Sequence, residues 1–216
     1  MTDHASVCVP RIGETAPDFE AETTQGILRL EDFRGSWLVF FSHPADFTPV
    51  CASELMAFAG VRAALRDMGC ELLGLSVDSI FSHIAWVRSL EEKFGATIDF
   101  PLVADTTGEV ARRYGMTMPA ESPTEPARVV YVIDDRQCVR AYMAYPMTTG
   151  RNVAEIVRLV AALQATDAHG VATPAGWKPG DGVLAPPPRT QAMAQERATA
   201  AGPNCPDWYF CKRELS

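Results

Sequence analysis

Trp37-Leu38-Val39-Phe40-Phe41-Ser42-His43-Pro44-Ala45-Asp46-Phe47-Thr48-Pro49-Val50-Cys51-Ala52-Ser53-Glu54-Leu55 reads as a strand, a loop and the start of a helix. Trp37 to Phe41 is an unbroken apolar run of strand length. Leu55, Phe58, Leu65 and Met68 then keep helical spacing. Cys51 therefore falls where a strand has ended and a helix begins. The unpaired amides and the positive end of the helix dipole at such a point favour a thiolate over a thiol, and the thiolate is the nucleophile. Pro44 and Pro49 restrict the loop, and Thr48 brings a hydroxyl three residues before the sulfur. The plainer account makes Asp46 or Thr48 an N-cap and Cys51 a small buried filler of the first turn.

The pattern Pro44-x-x-x-Thr48-x-x-Cys51 shifts the balance to chemistry. With its flanks it resembles the active-site loop of the peroxiredoxins, thiol peroxidases that reduce hydrogen peroxide and organic hydroperoxides without metal or haem. The longer string His43-Pro44-x-Asp46-Phe47-Thr48-Pro49-Val50-Cys51 is similar to the 1-Cys-like class with a long C-terminal arm, archaeal and bacterial members included. The likeness continues through Arg128 to Ile133, Tyr145 to Asn152, and Val171-Ala172-Thr173-Pro174 with Trp177.

Working outward, Arg11 to Phe19 reads as a lead-in loop and Ile27 to Leu30 as a short strand. A strand opens at Cys70. Asp78-Ser79 caps a helix through Ile84, Trp86, Val87 and Leu90 that stops near Gly95. Pro101 to Ala104 is a short buried strand, and Thr107 to Tyr114 a short helix ended by Gly115. Arg128 to Ile133 and Val139 to Tyr145 form a hairpin across Asp134-Asp135. A last helix begins near Asn152. This order predicts an α/β domain with a mixed sheet flanked by helices, and the resemblance implies that its fold is thioredoxin-like.

The expected division is a peroxidase domain over residues 1–168 and an extended C-terminal arm over 169–216. In the arm, Pro174, Gly176, Pro179, Gly180, Gly182 and Pro186-Pro187-Pro188 leave little regular structure, and Arg189 to Ala200 can make one polar helix. The end returns to aromatics at Trp208-Tyr209-Phe210, which predicts docking on an apolar surface. The resemblance implies that the arm packs across a partner subunit, so a homodimer is the least assembly expected. A larger ring of dimers would need a second interface on the same subunit.

The chain has 216 residues, 47% of them hydrophobic, and a formal charge of −8. That is enough for one buried domain plus an appendage, and it argues against nucleic acid or an anionic membrane as partner. Met1-Thr2-Asp3-His4-Ala5-Ser6 has no basic stretch before an apolar region, so the expected location is cytoplasmic. Six cysteines without a secretion signal read as reduced thiols or redox chemistry. Cys8, Cys70 and Cys138 are expected to have no catalytic role.

Peroxide reduction by a thiol is an in-line displacement in which the departing oxygen gathers negative charge. The resemblance implies that Arg128 lies beside Cys51, with Arg151 as a second site arginine. Glu54 then holds these arginines, though it also suits a helix's first turn. His43 matches a histidine that neighbours the thiol and is equally a packed strand-end residue. The resemblance implies that a tail cysteine resolves the sulfenic acid of Cys51 as an intersubunit disulfide: Cys211, with Cys205 as helper or alternative. A zinc half-site from Cys205 and Cys211 would lack its other ligands, and no metal or cofactor is expected. If the two thiols only pack, the mechanism is 1-Cys and electrons come from an external thiol. The expected partners are thus a peroxide and a thioredoxin-like or small-thiol reductant.

Two other functions compete. One is a peroxide sensor or redox-regulated holdase with little turnover. The other, a dithiol-disulfide oxidoreductase, lacks a Cys-x-x-Cys pair. Some animal members of the class carry a phospholipase built on Gly-x-Ser-x-Gly. Here Arg34-Gly35-Ser36-Trp37-Leu38 stands instead, so no lipase activity is expected.

Overall fold

The computed structural model describes residues 9–200 and 202–215; Cys8 lies outside them. The chain divides into two compact units, residues 1–153 and 154–216.

The first unit is built on a seven-stranded mixed sheet. Its strands are β1 (Glu20–Thr23), β2 (Gly26–Arg29), β3 (Trp37–Ser42), β4 (Cys70–Ser76), β5 (Leu102–Ala104), β6 (Arg128–Ile133) and β7 (Val139–Tyr145), in the spatial order β2-β1-β5-β4-β3-β6-β7. β3, β4 and β5 run parallel, while β6 lies antiparallel to β3 and carries β7 as the outer arm of a hairpin. The hairpin turns on Asp134, whose Oδ1 accepts from the amides of Arg136 and Cys138.

β3 is buried at every position because both of its faces are covered, which is why its sequence is a continuous apolar run. Its side chains alternate between the two faces. Phe40 meets Phe19 and Tyr114 with ring centroids 5.5 and 4.9 Å apart, in a core with Leu38, Leu73, Leu75, Val103 and Tyr131. Phe41 points the other way and stacks on Phe58 of α1 (Pro49–Asp67) at 4.1 Å. α1 thus presses its apolar stripe, Leu55, Phe58 and Leu65, onto the sheet.

α2 (Ile80–Phe94) begins at Ser79, whose hydroxyl accepts from Ser82 N, and ends at Gly95 in the left-handed region (φ 67°) that glycine adopts without strain. α3 (Glu109–Arg113) is shorter than the expected Thr107 to Tyr114, because Gly108 takes the N-cap position.

The second unit holds α4 (Val153–His169), the two-residue strands β8 (Val183–Leu184) and β9 (Lys212–Arg213), and α5 (Gln191–Thr199). Its small core is Ala162, Val171, Trp177 and Val183. Trp177 Nε1 donates to Asp181 O at 3.0 Å, so the indole fills the core without losing its hydrogen bond. β8 pairs antiparallel with β9, fastening the chain end to the middle of the arm.

Candidate active site

α1 decides where Cys51 stands. Thr48 is its N-cap and Pro49 its first residue, where a missing N–H costs nothing. Cys51 follows in the first turn, with its side chain fully buried. The Thr48 hydroxyl does not cap the helix; it donates to Ala45 O at 2.9 Å. Its oxygen lone pairs therefore remain to accept a hydrogen bond. Phe47, one residue earlier, has φ 55°, an uncommon value for a non-glycine residue that marks a sharply turned loop.

Three charged side chains from separate elements close on the sulfur. Arg128, first residue of β6, donates from Nη1 to Cys51 Sγ at 3.4 Å and to Glu54 Oε2 at 2.7 Å. Its Nε and Nη2 both donate to Met147 O, at 2.9 and 2.7 Å, fixing the plane of the fork. Arg151 donates from Nε to Glu54 Oε1 (2.8 Å) and from Nη2 to Oε2 (2.7 Å), and its Nη1 reaches Ser42 O and Val129 O. The Arg151 backbone amide also donates to Glu54 Oε1. Burial opposes the charge on Glu54. The hydrogen bonds and charge of Arg151, with the charge of Arg128, overcome that cost and hold its carboxyl below the ordinary carboxylate range. A pocket of about 220 Å³ opens beside this group, lined by Pro44, Thr48, Val50, Arg128, Met147 and their neighbours.

Residues 12–142 match the AhpC/TSA family, and residues 162–200 match the C-terminal domain of 1-Cys peroxiredoxin. A peroxiredoxin of Aquifex aeolicus is 50% identical over 220 residues, covering 97% of this chain and 99% of the relative. The chain belongs to the peroxiredoxin family. Its likeness extends to solved structures. A cysteine-to-serine mutant of the peroxiredoxin 6 of Arenicola marina superimposes with a TM-score of 0.83 at 33% identity, over 95% of this chain and 99% of that one. A yeast mitochondrial 1-Cys peroxiredoxin, described with a thiol-resolving mechanism via glutathione and thioredoxin systems, gives 0.79 at 36% identity, over 94% and 99%. The fold is thioredoxin-like, and the enzyme is a thiol-dependent peroxidase.

In this peroxiredoxin, Pro44, Thr48, Cys51, Glu54, Arg128 and Arg151 come together as described. His43 is fully buried at the end of β3 and stacks on Trp86 at 5.3 Å. Its Nε2 stands 3.4 Å from Asp46 Oδ1 without the alignment of a hydrogen bond, and neither ring nitrogen has a hydrogen-bond partner. Burial, then the charges of His83, Arg151 and Arg128, hold His43 well below the ordinary histidine range, so it is neutral.

His83 and Met147 were not among the expected site residues. His83 Nδ1 faces both oxygens of Asp46, at 3.1 and 2.9 Å, and its Nε2 faces Val103 O at 3.1 Å. The only local signal for His83 is its place three residues before Trp86 on the buried face of α2. His43, Asp46 and His83 bring ligand-type atoms within 4.8 Å of one another, but both Asp46 oxygens are already taken up by His83. The trio reads as packing that anchors the loop, not as an ion cage. Met147 contributes only its carbonyl, which a side-chain reading cannot see.

The other cysteines separate by setting. Cys70 is buried, and desolvation pushes its thiol up to about 12, which keeps it protonated and inert. Cys138 is half-buried at the hairpin. In the second unit Cys205 and Cys211 are joined as a disulfide, with Cα atoms 3.9 Å apart. Trp208, Tyr209 and Phe210, between them in sequence, are 39%, 59% and 36% exposed in this chain. A separate cavity of about 210 Å³ involves Phe19, Asp105, Glu109 and Arg113; Asp105 there is bonded to the amides of Val110 and Ala111, leaving no nucleophile to act. No helix among the described residues is long and apolar enough to cross a membrane.

Proposed function

We propose that Cys51 is the peroxidatic nucleophile and that Pro44, Thr48 and Arg128 are its immediate site, supported by Glu54 and Arg151. The carrying observation is the 3.4 Å hydrogen bond from Arg128 Nη1 to Cys51 Sγ. Charge balance supports the same reading. Arg128 and Arg151 bring two buried cations against the single anion of Glu54, and an uncompensated buried cation is costly. That surplus of positive charge lies against the Cys51 sulfur, where a nucleophile would gather negative charge.

The geometry supports an in-line displacement. The Cys51 sulfur attacks one peroxide oxygen along the O–O axis; the S–O bond forms as the O–O bond breaks. Arg128 donates to the departing oxygen, which leaves as alkoxide or hydroxide and takes up a proton. Thr48, already donating to Ala45 O, accepts from the peroxide hydroxyl and so orients it. Buried, fixed donors need little reorganisation as charge develops. His43, neutral and unpaired, neighbours this exchange but is not assigned as its base.

Cys51 is left as a sulfenic acid. Within this proposal, Cys211 of a partner subunit resolves it in a homodimer of crossed arms, and a thioredoxin-like or small thiol restores the enzyme in the cytoplasm. The arm over residues 169–216 serves those dimer contacts, and dimers can close into a ring. The test applies one equivalent of peroxide to wild type, Cys51→Ser and Cys211→Ser, followed by a non-reducing gel and mass mapping. A Cys51–Cys211 link in wild type, absent from both variants, supports the assignment. A sulfenic acid at Cys51 that persists on a monomeric band transfers the chain to 1-Cys chemistry. Loss of all peroxide consumption in Cys51→Ser is expected in either case.

A further inference from the structure

We propose that Glu125 makes this enzyme select uncharged hydroperoxides over peroxides that carry an anionic group elsewhere in the molecule. The proposal rests on the reading above, in which the peroxide meets Cys51 through the pocket beside Arg128, and it names the class of substrate that this pocket admits.

The lining is divided by chemistry. Pro44, Ala45, Pro49, Val50 and Met147 form apolar walls, Thr48 supplies a hydroxyl, and Arg128 and Glu125 are the two charged residues. The volume of about 220 Å³ lies below the roughly 300–1,000 Å³ that encloses a drug-sized ligand. The pocket therefore holds a hydroperoxide head with a short alkyl or aryl body. Apolar walls favour such a body over water, and they offer a carboxylate no hydrogen bond in place of the water it gives up.

Charge decides the rest. Arg128 is aimed at the reacting end: its Nε and Nη2 donate to Met147 O, and its Nη1 donates to Glu54 Oε2 and Cys51 Sγ. Arg151 is turned onto Glu54 as well. Neither guanidinium is thus placed to receive a second anion borne on the far side of a substrate. Glu125 adds a negative charge to the lining, and the one cation beside it there, Arg128, is already committed to Glu54. Its position is fixed by the path into β6. The Ser122 hydroxyl accepts from Thr124 N at 3.4 Å and from Glu125 N at 3.1 Å, and Ala127 N donates to Met116 O at 2.8 Å just before Arg128. Glu125 is half-buried, so water and salt screen its field less than they would on the open surface. Hydrogen peroxide and simple alkyl hydroperoxides are neutral at pH 7 and pass it. A carboxylate on the body of the peroxide meets a like charge at close range.

The experiment uses the full chain and two substrates that differ in charge alone, cumene hydroperoxide carrying a para-carboxylate and the methyl ester of the same compound. Second-order rates are read by stopped-flow at pH 7 for wild type, Glu125→Gln and Glu91→Gln, with hydrogen peroxide as a third substrate. Glu91→Gln removes one charge near the C-terminal end of α2, away from the pocket. Wild type should reduce the ester faster than the acid by on the order of tenfold. Glu125→Gln should bring the two together by raising the rate with the acid, while the ester and hydrogen peroxide stay within about twofold of wild type; Glu91→Gln should keep the wild-type ratio. An ester-to-acid ratio unchanged in Glu125→Gln overturns the proposal, and so does a ratio that falls equally in Glu91→Gln, which would assign it to net charge. A Glu125→Gln protein slowed alike on all three substrates overturns it too, since Glu125 would then support the site and not select. Cys51→Ser is run beside them: peroxide reduction that persists in it shows the site reading itself to be wrong, and the selection by Glu125 falls with it.

Discussion

Arg128 illustrates how much depends on one side chain's shape. A lysine would keep the charge, but a single ammonium cannot donate to Met147 O, Glu54 and Cys51 Sγ together in a fixed plane. Arg128→Lys should therefore lower the second-order rate of peroxide reduction by on the order of 100-fold, measured by stopped-flow under limiting peroxide; a loss below a few-fold would remove the fork from the mechanism. Glu54→Gln leaves two buried guanidiniums without their anion and should cost about 3–5 kcal/mol in urea unfolding.

Acid acts on the same residues. Glu54 is held below its ordinary range, so the unfolded chain takes its proton first, and the stability Glu54 contributes is lost as pH falls through its folded value. His43 lies well below 6.5, so below that pH the unfolded chain binds a proton that the folded one refuses, and stability falls again. The urea midpoint should drop from pH 7 to pH 5, at about which Glu54 still has no part, and His43→Asn should flatten that drop. An unchanged slope would mean that His43 is not buried neutral.

At the scale of elements, the site is the product of where β3, α1 and β6 end. β3 stops at Ser42, α1 starts at Pro49 and β6 starts at Arg128. Parallel pairing of β3 with β4, and antiparallel pairing with β6, bring these three ends to one edge of the sheet. β4 holds that register tightly at Gly74. A Cβ there would come within 2.6 Å of Leu102 Cδ2 and 3.1 Å of the Phe41 ring, both in the buried core. Gly74→Ala should destabilise the fold by about 1–3 kcal/mol through overpacking, read as a lower urea midpoint; its peroxide rate at low urea should stay close to wild type.

For the whole molecule, the arm is the part that a single chain leaves half explained. Its own core is a handful of residues, and its terminal aromatics face outward. Exposed large aromatics in a cluster mark a surface to be covered. Sedimentation should give at least twice the chain mass, and Trp208→Ala with Phe210→Ala should shift the protein toward the single chain. A monomeric wild type at micromolar concentration would remove the crossed-arm dimer.

The α/β class with a mixed sheet, and a cysteine set at the start of a helix, could be read from local pattern; the thioredoxin-like fold and the proposed role of Cys51 came with the resemblance. A buried apolar run, a Pro- and Thr-bearing loop and a cysteine on a helix's first turn are contiguous, and the periodicities of strand and helix are visible one segment at a time. The bounds of β6 and β7 and the cap at Ser79 follow from the same local rules. Other features depend on contacts across the chain. The Arg128–Glu54–Arg151 network joins positions 74 and 97 residues apart, and periodicity carries no information about such pairs; only the resemblance suggested them. Met147 acts through a carbonyl that every residue possesses. His83 is set against Asp46, 37 residues earlier, a pairing that helical spacing does not signal. The Cys205–Cys211 bond lies between these limits: its residues are plain in the sequence, but the turn that closes their loop, with Phe210 N donating to Asp207 O and Lys212 N to Asn204 O, is seen only in the structure.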